Sequence, residues 1–130
     1  MVDVAACRTY LQTRQRRRAQ AREAMRQQVL QIVRTAAPPV LAAFPQIRRA
    51  YVFGSLVHPG AMFRNNSDID VAVEGTLSAE DYFALWRALE RAIPGWALEV
   101  VELGADIHFA ERVRQTGELI HERSSSDAES

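Results

Sequence analysis

Two carboxylates one residue apart, Asp68 and Asp70, lie in the run Ser67-Asp68-Ile69-Asp70-Val71-Ala72-Val73, and they limit what this chain can fold into more than any other feature. The short apolar run bounded by polar residues reads as a β-strand over Ile69–Glu74, with Gly75-Thr76 turning out of it. Strand side chains alternate between faces, so Asp68 and Asp70 point the same way while Ile69 and Val71 point into a core. Two like charges side by side repel and raise each other's pKa unless a cation lies between them. A metal ion is the obvious cation. A purely structural role for the acids, satisfied by protein groups alone, is the competing reading.

The residues before and after this strand add two more parts. Ile47–Phe53 alternates as a strand with Arg48 and Arg49 at its exposed start, and Gly54-Ser55 closes it. A Gly-Ser turn that opens a helical turn offers backbone N–H groups and a hydroxyl to a phosphate, with glycine allowing close approach. Downstream, Trp96–Leu103 is a third apolar strand interrupted by Glu99 and Glu102. Glu99 is flanked by Leu98 and Val100, and a charge inside a buried strand is costly unless paired or metal-bound. Glu102, three positions on, faces the other way in a regular strand and reads as a solvent-face or strand-end charge. If the Glu99 strand lies beside the Asp70 strand, three same-facing carboxylates make the oxygen-only site that Mg2+ prefers. A phosphate cradle opposite a two-metal carboxylate cluster suits in-line displacement at phosphorus.

The rest of the chain supplies helices. Val4–Ala36 contains no helix breaker and is rich in Ala, Arg, Gln, Met and Leu, so it predicts one long helix. Met25, Val29, Ile32 and Val33 give its second half a core-facing stripe. The first half carries Arg14, Arg16, Arg17, Arg18 and Arg22 beside Val4, Cys7, Tyr10 and Leu11, and is free to meet a partner or a second copy of the chain. Pro38-Pro39 is expected to end the helix, with a short helical turn over Val40–Phe44 before Pro45. Ser78, with Asp81 three residues later, predicts the N-cap of a helix over Ala79–Ile93, whose Tyr82, Trp86 and Leu89 share a buried stripe. A further helix over Ile107–Thr116 ends at Gly117, and Leu119-Ile120 suggests a short edge strand. The expected organisation is an Arg-rich helix over 1–37, one α+β domain over 38–123 with a small mixed sheet and helices on one face, and a disordered tail over 124–130.

Composition narrows the chemistry. All 16 basic residues are arginine, which removes the phosphate-loop and Schiff-base classes that require lysine. Residues 1–64 hold 11 Arg against Asp3 and Glu23, whereas residues 65–130 hold 14 acids against 5 Arg, so zero net charge conceals a basic half and an acidic half. That split suits an anionic partner on one side and a cation on the other. No nucleic-acid reader motif accompanies the arginines, so nucleic acid is not the expected partner. No apolar run approaches the roughly 20 residues of a membrane span, and the lone Cys7 permits no internal disulfide, which predicts a cytoplasmic protein without a membrane role. His108 and His121 lack metal-like spacing and receive no role.

Gly54-Ser55, a twelve-residue interval and Asp68-Ile69-Asp70 resemble the Gly-Ser…Asp-x-Asp signature of the polymerase-beta-like nucleotidyltransferases, and specifically the minimal nucleotidyltransferases (MNT). The likeness spans roughly residues 47–122 and includes the Leu98–Leu103 strand and the Gly117-Glu118-Leu119-Ile120 segment. It implies a nucleotidyltransferase fold, Asp68, Asp70 and Glu99 as ligands of catalytic Mg2+, Glu99 also as base, and Gly54 with Ser55 as triphosphate binders. It implies transfer of a nucleoside monophosphate, AMP from ATP in the first instance, to a hydroxyl. Many stand-alone MNT proteins are similar to antitoxins encoded beside a HEPN ribonuclease toxin, and the acceptor implied is a toxin tyrosine. A module that neutralises its partner by occlusion, with weak catalysis, is the alternative. Three departures stand out. Glu99 replaces the usual Asp, the loop is about two residues longer, and the arginine common after Gly-Ser is absent at Leu56 and Val57, for which Arg64 is the preferred substitute ahead of His58.

Overall fold

The computed structural model describes residues 3–60, 63–104 and 106–124; most of the expected tail, 125–130, lies outside the described residues. The chain opens on α1 (Val4–Ala42), a 39-residue helix capped by the Asp3 carboxylate, which accepts from the Ala6 N–H at 3.2 Å. β1 (Arg49–Phe53), a 3-10 turn (Gly54–Val57) and β2 (Ile69–Glu74) follow, then α2 (Ala79–Ala92), β3 (Leu98–Glu102), α3 (Ile107–Thr116) and β4 (Glu118–Glu122). Ser78 caps α2 as its spacing predicts, accepting from the Asp81 N–H at 3.1 Å.

The strands form one mixed sheet in the order β3-β2-β1-β4. β1 pairs antiparallel with β2 and with β4, while β2 and β3 run parallel, joined by the α2 crossover that parallel neighbours require. Alternation then sorts the strand residues. Ala50, Val52, Val71 and Val73 face α1 and α2, where Val29, Val33, Leu85 and Leu89 complete the main core. Tyr51 and Ala72 face the other way and pack with Leu103, Ala110 and Val113. The expected mixed sheet and long helix are present, but α3 covers the opposite face from α1 and α2, so the helices do not share one face. Phe109, Ala110 and Val113 give α3 an apolar stripe of its own, and Tyr51 and Ala72 give the sheet's second face something to bury.

α1 also runs through Pro38-Pro39 where the sequence suggests a stop. Each interior proline costs about 3 kcal/mol in lost hydrogen bonding and crowding. Two features of the packing offset that cost. Val33, Ala37 and Leu41, four residues apart, are all fully buried against the sheet, and burying a side chain such as Leu41 contributes about 1.5–3 kcal/mol. Arg123, next to β4, then donates from Nη2 to the carbonyls of Ala42 and Phe44 at 3.1 and 3.3 Å, satisfying acceptors at the helix end.

The other half of α1 has no such support. From Val4 to Ala21 every residue but Thr13 is exposed, and Val4, Tyr10 and Leu11 present large apolar side chains to solvent. No helix among the described residues is long and apolar enough to cross a membrane. Leu41→Ala is expected to cost about 2–5 kcal/mol in urea unfolding, and Leu11→Ala on the exposed arm less than about 0.5 kcal/mol. A small loss at Leu41 would refute the claim that core packing carries the helix past its prolines.

Candidate active site

The site lies where β1 ends and β2 begins. Register places Phe53 opposite Asp70 and Asp70 opposite Glu99, so these three residues form one row across β1, β2 and β3 on the face covered by α3. Gly54 follows with φ +80°, in the left-handed region that side chains avoid. A Cβ there would meet Asp70 Oδ2 at 2.5 Å. Glycine is therefore required twice over, by backbone conformation and by the carboxylate against it. The 3-10 turn that begins at Gly54 carries half-buried Ser55 and buried Leu56.

Asp70 is half-buried, Asp68 lies exposed just ahead of β2, and Glu99 is exposed. Burial, then the charges of Glu99 and Asp68, push the Asp70 carboxyl up to about 6. The other end of the same strand face shows how this protein treats a carboxylate that it neutralises. Glu74, also on β2 and buried, is held between Arg114 of α3 and Arg49 of β1. Among the described residues Asp68, Asp70 and Glu99 have no arginine partner. Carboxylate oxygens are the donor type that a hard divalent cation such as Mg2+ prefers. Asp70 and Glu99 share a face, with Asp68 just ahead of β2, but the three are not drawn into a closed metal-binding group, since the described residues contain no cluster of three such ligands.

Arg64, expected at the phosphates, lies exposed in a tight turn. Its N–H donates to Ser67 Oγ at 2.9 Å and its carbonyl accepts from the Ser67 N–H at 3.0 Å. Its guanidinium has no carboxylate partner among the described residues, and His58 is exposed. Phe63, fully buried and stacked on Trp96 at 5.3 Å, anchors the loop that leads to Asp68. Two further contacts were not legible from spacing. Phe53 meets Phe109 edge-on at 5.7 Å beside Asp70, and Arg26 of α1 reaches the carbonyl of Leu56 at 2.6 Å. Both join segments far apart in sequence; only the position of Arg26 on the core-facing stripe with Val29 and Val33 hints at its burial.

A family model described as polymerase beta, nucleotidyltransferase matches residues 37–126, and the chain belongs to that family. No curated protein sequence is significantly similar. Among solved structures, a mutant of the MntA–HpeT toxin–antitoxin complex matches with a TM-score of 0.51 and 23% identity, covering 79% of this chain and 77% of that one. A toxin–antitoxin complex with AMP-PNP matches with a TM-score of 0.51 and 24% identity, over the same 79% and 77%. A tri-AMPylated Shewanella oneidensis HEPN toxin in complex with an MNT antitoxin gives 0.49 and 24%, over 69% and 70%. At these identities the likeness is one of fold.

Removing the charge of Asp70 relieves the cost of its burial and the repulsion from Glu99 and Asp68, and tests the site without any nucleotide. A carboxyl whose folded pKa is raised costs stability when ionised, and that cost is full above about 6 and gone near the usual value of about 4. Asp70→Asn is therefore expected to stabilise the cation-free protein at pH 8 by about 1 kcal/mol after solvent screening, with the gain vanishing toward pH 4. Denaturant melts at the two pH values check this; equal effects at both would show that burial and the neighbouring charges do not raise the Asp70 carboxyl.

Proposed function

We propose that this chain is a Mg2+-dependent nucleotidyltransferase that moves AMP from ATP to a hydroxyl of a partner protein, acting as an antitoxin whose acceptor is a tyrosine of a HEPN-type toxin in the cytoplasm. The observation that carries the reading is the contact between Gly54 and Asp70: the glycine turn suited to phosphate and the unneutralised acids occupy the same end of the sheet. Membership of the nucleotidyltransferase family supports it. The toxin–antitoxin assemblies with this fold, one of them with AMP-PNP, support the choice of partner and nucleotide.

In this reading the backbone N–H groups of the 3-10 turn and the Ser55 hydroxyl hold the triphosphate, with Arg64 free to add a guanidinium from the loop. Asp68 and Asp70 hold Mg2+, with Glu99 as the third ligand, and the bound metal supplies charge neutralisation of the phosphates and of the attacking and leaving oxygens. Glu99 accepts the proton of the acceptor hydroxyl as its oxygen bonds to the α-phosphorus and the bond to pyrophosphate breaks. The exposure of Glu99 suits an acceptor presented by another macromolecule. As Glu rather than Asp, it reaches one methylene further into the site.

The exposed half of α1 favours a second reading, in which the chain neutralises its partner by occlusion alone. Val4, Tyr10 and Leu11 offer apolar contacts beside a run of arginines from Arg14 to Arg18. One assay separates the two. With α-labelled ATP, Mg2+ and the product of the neighbouring gene, label is expected to enter the partner. The Asp68→Asn, Asp70→Asn double variant should reduce the rate at least about a hundredfold. Transfer that survives the double substitution would remove these acids from the chemistry, and neutralisation without any transfer would favour occlusion. Gly54→Ala is expected to reduce transfer comparably, because the new methyl must displace the Asp70 carboxylate.

A further inference from the structure

Arg26 sits at the point where the exposed half of α1 meets the domain. It is 5% exposed, and its polar atoms are committed in two directions. Nη1 donates to the Leu56 carbonyl at 2.6 Å, while Nε and Nη2 donate to the Glu23 carboxylate at 2.9 and 2.6 Å. Gln27 Nε2 also donates to Glu23, at 3.2 Å, and the Gly60 N–H faces the same carboxylate. The pair is thereby oriented from both sides, by α1 and by the loop after the 3-10 turn.

The chain itself explains why Leu56 needs a donor from so far away. In a 3-10 turn the carbonyl of residue i accepts from the N–H of residue i+3. For Leu56 that position is Pro59, which has no N–H. Leu56 is fully buried, so water cannot stand in, and an unpaired buried carbonyl is costly. The Arg26 guanidinium fills the vacancy. Its planar fork allows one end to bind the carbonyl while the other is gripped by a carboxylate.

We propose that Arg26, oriented by Glu23, is a positioning residue for the phosphate-binding turn: it fixes the 3-10 turn of Gly54–Val57 from behind, so that the Gly54 and Ser55 N–H groups face the acids rather than the core. It touches neither nucleotide nor metal. The role rests on the nucleotide reading above. It also makes the root of the exposed α1 arm part of the nucleotide site, since Glu23 and Arg26 belong to the same helix as the arm.

Two measurements on the full chain test it. Amide hydrogen exchange at residues 55–58, without nucleotide, reads the turn directly. Arg26→Met is expected to speed exchange there about tenfold, with β2 unchanged. Arg26→Lys, which keeps one donor for the Leu56 carbonyl but loses the fork, should fall between. Unchanged exchange in Arg26→Met overturns the proposal whether or not nucleotide binds. Calorimetry with AMP-PNP and Mg2+ is the second measurement. Arg26→Met is expected to weaken binding about tenfold, with part restored by Arg26→Lys. Wild-type binding that Arg26→Met leaves unaltered also overturns the role. If wild type itself fails to bind, the nucleotide reading falls and takes the role of Arg26 toward nucleotide with it, whatever exchange shows of the clamp. Should Arg26→Met not fold, Glu23→Gln carries the same tests, with a smaller loosening expected and unchanged exchange again overturning the proposal.

Discussion

The Asp70 carboxylate lies against the backbone of Gly54 with no arginine partner among the described residues, and the arrangement around it follows from that contact. Gly54 must lack a side chain, the turn must swing left-handed, and β1 must end there so that the 3-10 turn can begin. The contrast with Glu74 makes the point physically. Both acids project from β2 toward the α3 face, yet Glu74 is clamped by Arg114 and Arg49 while Asp70 faces Asp68 and Glu99. The protein sets two arginines against Glu74 and, among the described residues, none against Asp68, Asp70 or Glu99.

The scaffold delivers these groups through strand order. β1 and β2 are neighbours in sequence as well as in the sheet, so the Gly-Ser turn and the Asp-x-Asp pair meet by a local hairpin-like pairing. Glu99 arrives by the α2 crossover, which sets β3 parallel to β2 and fixes Glu99 opposite Asp70. α1 closes the other face of the sheet and, through Arg26, holds the back of the turn. The helix therefore has two parts: a half whose apolar stripe belongs to the core and an exposed, arginine-rich half.

Local patterns carried much of this. β2, with its bounds at Ile69 and Glu74, and α3, from Ile107 to Thr116, lie where alternation, caps and glycine put them. The Ser78 cap and the glycine that closes β1 were equally plain, because each depends on a single residue's chemistry. Pro38-Pro39 misled for the same reason. Proline's cost is local, but burial of Ala37 and Leu41 and the bonds from Arg123 come from residues brought in by the fold.

What the sequence alone determined was the set of candidate groups and their local spacing: a glycine where no side chain fits, two acids one residue apart at the start of a strand, a third acid in a later strand. The tertiary structure decided which of those groups have partners. It left Asp70 beside Glu99 and, among the described residues, without an arginine, placed α3 rather than open solvent over the second face of the sheet, and brought Arg26 to a carbonyl 30 residues away that Pro59 leaves without a local donor. Neutralisation of charge and satisfaction of buried carbonyls depend on contacts between distant segments, and those contacts exist only once the strands have paired.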